Sequence, residues 1–242
     1  MPMRAFINKT YPYPWCLLIS PKLENRKIRP LKVTLAEVRT IVAENDKQRF
    51  SLIPITEAPL AGTEPQDVPA SDAAAIEFES DSDDPSNYLI RANQGHSIKV
   101  AEDGLLVPIT LESGDLPKTV VHGTTTRAWP LIVRSGGLKT MTRTHVHFAS
   151  GLPEGFKDLK DGTEDMRERH SEPVISGMRN TSSVLIYLDI KKALTAGLKF
   201  WRSKNGVILS NGNEANIVPL EFFERVEDRK KGSIIMRDGK EV

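Results

Sequence analysis

Beyond Gly95 the chain is built from short apolar runs, and this constrains its fold more than any other feature. Thr119-Val-Val121, His145-Val-His-Phe-Ala149, Val184-Leu-Ile-Tyr-Leu188, Gly206-Val-Ile-Leu209 and Ile217-Val-Pro219 are each cut off by glycine, proline or polar residues. Runs of this length, rich in β-branched and aromatic residues, read as strands. Phe200-Trp201 adds a further strand piece, separated from Gly206 by the polar turn Ser203-Lys-Asn205. Two helices are expected among these strands. One opens at Thr124 or Thr125, turns Trp129, Ile132 and Val133 inward and ends at Gly136-Gly137; Pro130 bends it unless its regular turns start later. The other is capped by Asp189, covers Ile190 to Ala196 and stops at Gly197.

The N-terminal part has a different pattern. Thr34-Leu-Ala-Glu37 is a capping box, and Leu35, Val38, Ile41 and Val42 fall on one face of a helix that ends near Glu44 or Asn45. Arg49-Phe-Ser-Leu-Ile53 reads as a strand with Tyr88-Leu-Ile90 as its hairpin partner. Between them lies an acidic insertion near residues 55–86, which includes Glu77-Phe-Glu-Ser-Asp-Ser-Asp-Asp84 and has no apolar period. The expected organisation is an irregular arm over 1–20, a lobe over 21–100, a β-rich lobe over 101–227 and a charged, fraying tail over 228–242.

Composition narrows the function. The 33 basic and 32 acidic side chains nearly cancel, which argues against wrapping duplex nucleic acid through bulk charge and leaves room for a local phosphate pocket. Cys16 is the only cysteine, so an intrachain disulfide and a multi-thiolate metal site are excluded, and a reducing intracellular compartment, nucleus or cytoplasm, is expected. Trp15-Cys-Leu-Leu-Ile19 is too short to span a membrane, and no signal peptide is expected. No P-loop, G-x-G-x-x-G fingerprint or G-x-S-x-G elbow is present.

Arginines and histidines at the edges of the apolar runs carry the chemistry. Arg91, after a strand-like run, and Arg179, after Gly177-Met178, offer planar guanidinium forks that suit phosphate oxygens; taken singly, each also suits a surface ion pair. His122-Gly-Thr124 ends a strand and opens a helix in this reading, so backbone N–H groups there can receive a diphosphate while His122 bonds a ribose or an amide. His145 and His147 share a strand face. No cysteine is near them and their spacing matches no zinc box, so they fit a polar cleft better than a metal. His170, in the charged run Arg167-Glu-Arg-His, reads as surface.

Taken in order, Asn45-Asp-Lys-Gln-Arg-Phe50, Arg91-Ala-Asn-Gln-Gly-His-Ser97, His122-Gly-Thr124, Arg143-Thr-His-Val-His147, Gly177-Met-Arg179 and Ser203-Lys-Asn-Gly-Val-Ile-Leu209 resemble the RNA 2′-phosphotransferases. The resemblance runs from about Val33 to Phe223. It implies an α+β chain with a partial winged-helix-like N-terminal lobe and an ADP-ribosyltransferase-like, β-rich C-terminal lobe. The implied activity is NAD+-dependent removal of a splice-junction 2′-phosphate from ligated tRNA by a monomer that uses neither a metal nor a membrane. Arg91 and Arg179 would be catalytic. His122, Gly123, Thr124, His145 or His147, Val207 and Ile208 would hold NAD+, with the last two as an apolar wall. Gln94, His96 and Ser97 would touch RNA or fix Arg91.

The family also carries an adjacent arginine–histidine pair on an N-terminal helix, whereas here no histidine precedes His96 and Arg4, Arg26 and Arg29 have the wrong surroundings. The expectations are a gene start upstream of Met1, or an impaired module that still binds NAD+ or RNA phosphate. Without that helix, Val38, Ile41 and Phe50 should be less well covered. ADP-ribosyl transfer to a nucleic-acid phosphate end shares the first chemical step.

Overall fold

In a computed structural model the described residues are 16–17, 30, 32–57, 84–96, 105–152, 178 and 181–242. They form a mixed α+β fold of antiparallel sheets and short helices, in two compact units: Met1–Asn93 with Val100–Gly104, and Gln94–Lys99 with Leu105–Val242.

In the first unit, strand β1 (Cys16–Leu17), helix α1 (Leu35–Glu44), β2 (Phe50–Pro54) and β3 (Tyr88–Ala92) follow one another along the chain. The sheet order is β1-β3-β2. The capping box forms as expected: the Thr34 hydroxyl accepts from Glu37 N at 3.3 Å and the Glu37 carboxylate accepts from Thr34 N at 2.8 Å. The helix starts there because two otherwise orphan N–H groups are satisfied reciprocally. Leu35 and Tyr88 are buried and pack with Val38, Leu52 and Ile90. Ile41, expected on the same helical face and expected to be less well covered, is 58% exposed. The β2–β3 hairpin pairs Ile53 with Leu89 and Ser51 with Arg91, as the two apolar runs predicted. Asn93 locks its end. It accepts the Ser51 hydroxyl at 2.7 Å and donates to Gln48 O at 2.8 Å, so the strand that carries Arg91 is fixed in register. Most of the acidic insertion lies outside the described residues.

In the second unit the chain makes β4 (Leu106–Ile109), β5 (Val121–Thr124), helix α2 (Trp129–Arg134), β6 (Gly137–Lys139) and β7 (Val146–Phe148). There follow β8 (Val184–Leu188), helix α3 (Ile190–Thr195), β9 (Lys199–Ser203), β10 (Ile208–Gly212), β11 (Ile217–Pro219), β12 (Phe223–Asp228), β13 (Ser233–Arg237) and β14 (Lys240–Glu241). A four-stranded sheet runs β4-β9-β10-β7 and a five-stranded sheet β14-β13-β12-β8-β5, with β11-β6 as a small pair. Residues of both large sheets share one buried cluster: Phe148, Phe200 and Ile208 from the first, Val184, Ile186, Phe223, Val226 and Met236 from the second. Alternation along β8 sends Leu185 and Tyr187 to the opposite face, where they pack with Val121, Ala149 and Met178. All five residues of β8 are buried, which is why its sequence is continuously apolar.

Three expectations change. His122-Gly-Thr124 lies within β5 and pairs with Ile186-Leu185-Val184, so it does not open a helix. Helix α2 starts later than Thr124 or Thr125, at Trp129, the later start that the sequence left open for Pro130, which stands in the first turn where a proline costs no hydrogen bond. Residues 228–242 are not a fraying tail: β13 pairs with β12 and buries Met236 in the core.

Candidate functional site

Three of the motifs meet where β5 runs beside the end of β7. Val121 and Ala149 exchange both backbone hydrogen bonds, Val121 N to Ala149 O at 3.0 Å and Ala149 N to Val121 O at 2.8 Å. This bridge sets His122 next to β7, and its Nδ1–H donates to the His147 carbonyl at 2.8 Å. A carbonyl accepts only, so the proton on Nδ1 is fixed. Burial lowers the His122 pKa against the opposing effect of that bond, leaving a neutral ring whose Nε2 lone pair is the acceptor. The ring also meets the edge of Phe148 at 5.9 Å.

His147 is more strongly perturbed. Burial first, then electrostatic interaction with Arg143, His145 and His122, push its pKa down to about 3, against a hydrogen bond with the His145 backbone. It is neutral throughout the physiological range. Its Nε2 is buried with no hydrogen-bond partner, 3.8 Å from where a Cβ on Gly95 would stand. Gly95, at φ +84°, belongs to a strap clipped to the start of β7: His96 O accepts from Thr144 N at 3.2 Å and from the Thr144 hydroxyl at 3.3 Å. The same hydroxyl lies 2.8 Å from His145 Nδ1, and the His145 ring meets the edge of Trp201 at 5.5 Å. Register puts Trp201, Leu209 and His147 side by side on one sheet face.

Gly123 is required by packing. A Cβ there would fall 2.2 Å from Met178 Cγ and 2.4 Å from Ser182 Oγ. Met178 is buried in this contact, so the Gly177-Met-Arg179 motif comes to β5 through its middle residue. Gly177, Arg179, Ser97 and His170 lie outside the described residues, as does nearly all of the N-terminal region from which the arginine–histidine helix is expected to be missing.

Arg91 sits half-buried on β3 of the first unit, with its pKa lowered by burial. Gln94 and His96 lie on the strap of the second unit. Val207 and Ile208, expected to wall a nucleotide, are both 0% exposed, and Ile208 belongs to the inter-sheet core. Thr144, Trp201 and Ser182 were missed by the sequence reading. Trp201 was within reach of it, because strand alternation from Leu209 and the β9 turn put it on the histidine face; the other two carry no pattern of their own.

Among the described residues no group of three His, Cys, Asp or Glu side chains could hold a metal ion, and no helix is long and apolar enough to cross a membrane.

The site is thus a pair of neutral, half-buried imidazoles beside a strand whose Gly123 leaves no room for a side chain unless Met178 and Ser182 shift. Residues 17–212 match the model of the RNA 2′-phosphotransferase family, Tpt1 / KptA, and the chain belongs to that family. It is similar to tRNA 2′-phosphotransferase 1 of Danio rerio, at 34% identity over 88% of this chain and 74% of the relative. It is 36% identical to the Mus musculus protein of the same name over 81% of this chain and 61% of the relative. The tRNA 2′-phosphotransferase of Saccharomyces cerevisiae is 32% identical over 84% of this chain and 68% of its own length. The chain therefore spans well under the full length of these curated relatives, and less than two thirds of the mouse protein.

Proposed function

We propose that this chain removes a 2′-phosphate from RNA, with tRNA as the substrate class and NAD+ as the consumed co-substrate. The observation that carries the reading is the packing of three family motifs into one cluster, His122-Gly-Thr124 against His147 and Met178 against Gly123. Family membership and the tRNA-directed names of the relatives support it.

The residues fit a dinucleotide co-substrate on chemical grounds. A buried, unpartnered imidazole nitrogen that stays neutral suits a ribose hydroxyl or a carboxamide, and suits a diphosphate poorly. His122 offers Nε2 as an acceptor, and His147 offers the buried Nε2. The strand position of Gly123 and Thr124 removes the helix-start diphosphate contact and leaves the Thr124 hydroxyl as the donor in that motif. NAD+ supplies an electrophilic C1″ with nicotinamide as leaving group.

In the proposed chemistry an oxygen of the RNA 2′-phosphate attacks C1″, and the electron pair of the C1″–N bond leaves with nicotinamide. The 2″-hydroxyl then attacks phosphorus. The bond from phosphorus to the RNA 2′-oxygen breaks, and that oxygen takes the proton. The products are RNA with a free 2′-OH and ADP-ribose 1″,2″-cyclic phosphate. Arg91 and Arg179 would neutralise the phosphate and hold the charge that develops in the second step. In this reading the first unit is the partial winged-helix-like lobe and the second the ADP-ribosyltransferase-like lobe.

The test incubates the protein with a 2′-phosphorylated oligonucleotide, with and without NAD+. NAD+-dependent appearance of the 2′-OH product and nicotinamide is the expected result. If neither the 2′-OH product nor an ADP-ribosylated RNA accumulates, the activity is not a property of this chain; binding of either ligand without turnover would then identify an impaired module.

A further inference from the structure

At one end of the five-stranded sheet the register lines up Thr124, Val184, Asp228 and Ser233 across β5, β8, β12 and β13. The segments that emerge just beyond this row carry Arg127, Ser182-Ser183 and Arg229-Lys-Lys231. Hydrogen bonds join them into one platform. Thr126 N donates to Ser183 Oγ at 3.0 Å, Arg229 N to Ser183 O at 2.9 Å, and Arg229 Nη1 to Ser182 O at 3.4 Å. The basic turn is held from within: Lys230 N and Lys231 N donate to Asp228 Oδ1 at 3.0 and 3.2 Å, and Gly232 N to Asp228 O at 2.8 Å.

The charge on this platform is one-sided. Arg127, Lys230 and Lys231 are exposed, while the carboxylates of Asp228 and Glu227 are buried, the latter paired with Arg225 at 2.8 Å. Among the described residues no ion pair engages Arg127, Lys230 or Lys231. The platform adjoins the motif cluster, because Ser182 touches the Gly123 position and Thr124 stands two strands from Asp228, about 10 Å at the usual strand spacing.

We propose that this sheet end is a track for the phosphodiester backbone of the substrate RNA flanking the reactive 2′-phosphate, with Lys230, Lys231 and Arg127 as its cations. The proposal rests on the RNA 2′-phosphotransferase reading and adds a surface to it. A chain with almost no net charge cannot attract RNA by bulk field, so cations beside the site that make no ion pair among the described residues offer flanking phosphates a local contact. Such contacts position the RNA without reading its sequence.

The test compares the wild-type chain with the double variant Lys230→Gln/Lys231→Gln on two 2′-phosphorylated RNAs, a trinucleotide and a stem-loop of anticodon-arm length, titrated across monovalent salt. Each lost phosphate contact should reduce the slope of log affinity against log salt by about 0.7, so the double variant should lose about 1.4 on the stem-loop. That corresponds to about 25-fold weaker binding at 0.1 M salt, with 1 M as the common reference. Trinucleotide turnover and thermal midpoint should be unchanged. A stem-loop slope equal to that of the wild type, or an equal loss on both RNAs, would overturn the track. If wild-type protein shows the slope difference but converts neither RNA with NAD+, the track stands and the catalytic reading falls.

Discussion

His147 is a titratable ring kept neutral by its surroundings, and its behaviour with pH is a direct readout of the site. Burial and electrostatic interaction with Arg143, His145 and His122 put its folded pKa at about 3, well below the ordinary histidine value of 6.5. Between these values the unfolded chain binds a proton that the folded chain refuses. Stability from this residue is therefore full above pH 6.5 and is lost as pH falls towards 3, at a slope approaching about 1.4 kcal/mol per pH unit. His122, shifted the same way, adds to the loss. Urea unfolding at pH 7 and pH 5 should show the decrease, and His147→Gln should flatten it. An unchanged slope in that variant would place the effect elsewhere. Carbon and nitrogen chemical shifts should show the His147 ring neutral at pH 5.

The strand β5 and helix α1 show how local chemistry and packing divide the work at the scale of elements. The start of α1 was legible because a capping box is a local event, decided by Thr34 and Glu37 alone. Thr34→Ala should cost about 1 kcal/mol, read as a lower urea midpoint at constant m-value. β8 was legible because burial on both faces writes itself as five consecutive apolar residues. The course of β5 was not. After Val121 its residues are His, Gly and Thr, polar or small, and only pairing with β8, some sixty residues away, makes them a strand. Gly123 is small because Met178 and Ser182 occupy the place of a side chain, a reason no local pattern reveals. Gly123→Ala should force both neighbours to shift and cost about 1–3 kcal/mol of stability. The activity assay should lose turnover with it, while a surface control such as Lys191→Ala keeps both stability and rate. The same blindness to distant pairing hid β13. Its charged flanks suggest a loose end, yet Met236 completes the core through a turn built on Asp228. Ile208 shows the converse: the sequence marks it as apolar, and only the sheet-to-sheet packing puts it in the core.

Among the described residues the two units bury apolar side chains to unequal extents, and that inequality has a measurable consequence. Of the described residues of the first unit, Leu35, Tyr88 and Leu89 are buried, with Val38, Leu52 and Ile90 packed against Leu35 and Tyr88. The second unit buries residues from two large sheets and helix α3 in a single cluster. Hydrophobic stabilisation grows with apolar area removed from water, so the described strands and helix of the first unit have less to set against their chain entropy. Opening free energies within one protein range from near zero to the global value, following such differences in buried contact. Amides of β2 and β3 should therefore exchange with solvent through a lower-energy opening than those of β8 and β12. In native-state hydrogen exchange across low urea, the β8 amides should merge with global unfolding while the β2–β3 amides exchange well below it. Phe148→Ala, which opens a cavity between the large sheets at a cost of about 3–5 kcal/mol, should lower the β8 plateau and leave the β2–β3 values nearly unchanged. A single common plateau for all these strands, shifting together in the variant, would show that the molecule unfolds as one cooperative body and that the small core draws its stability from the large one.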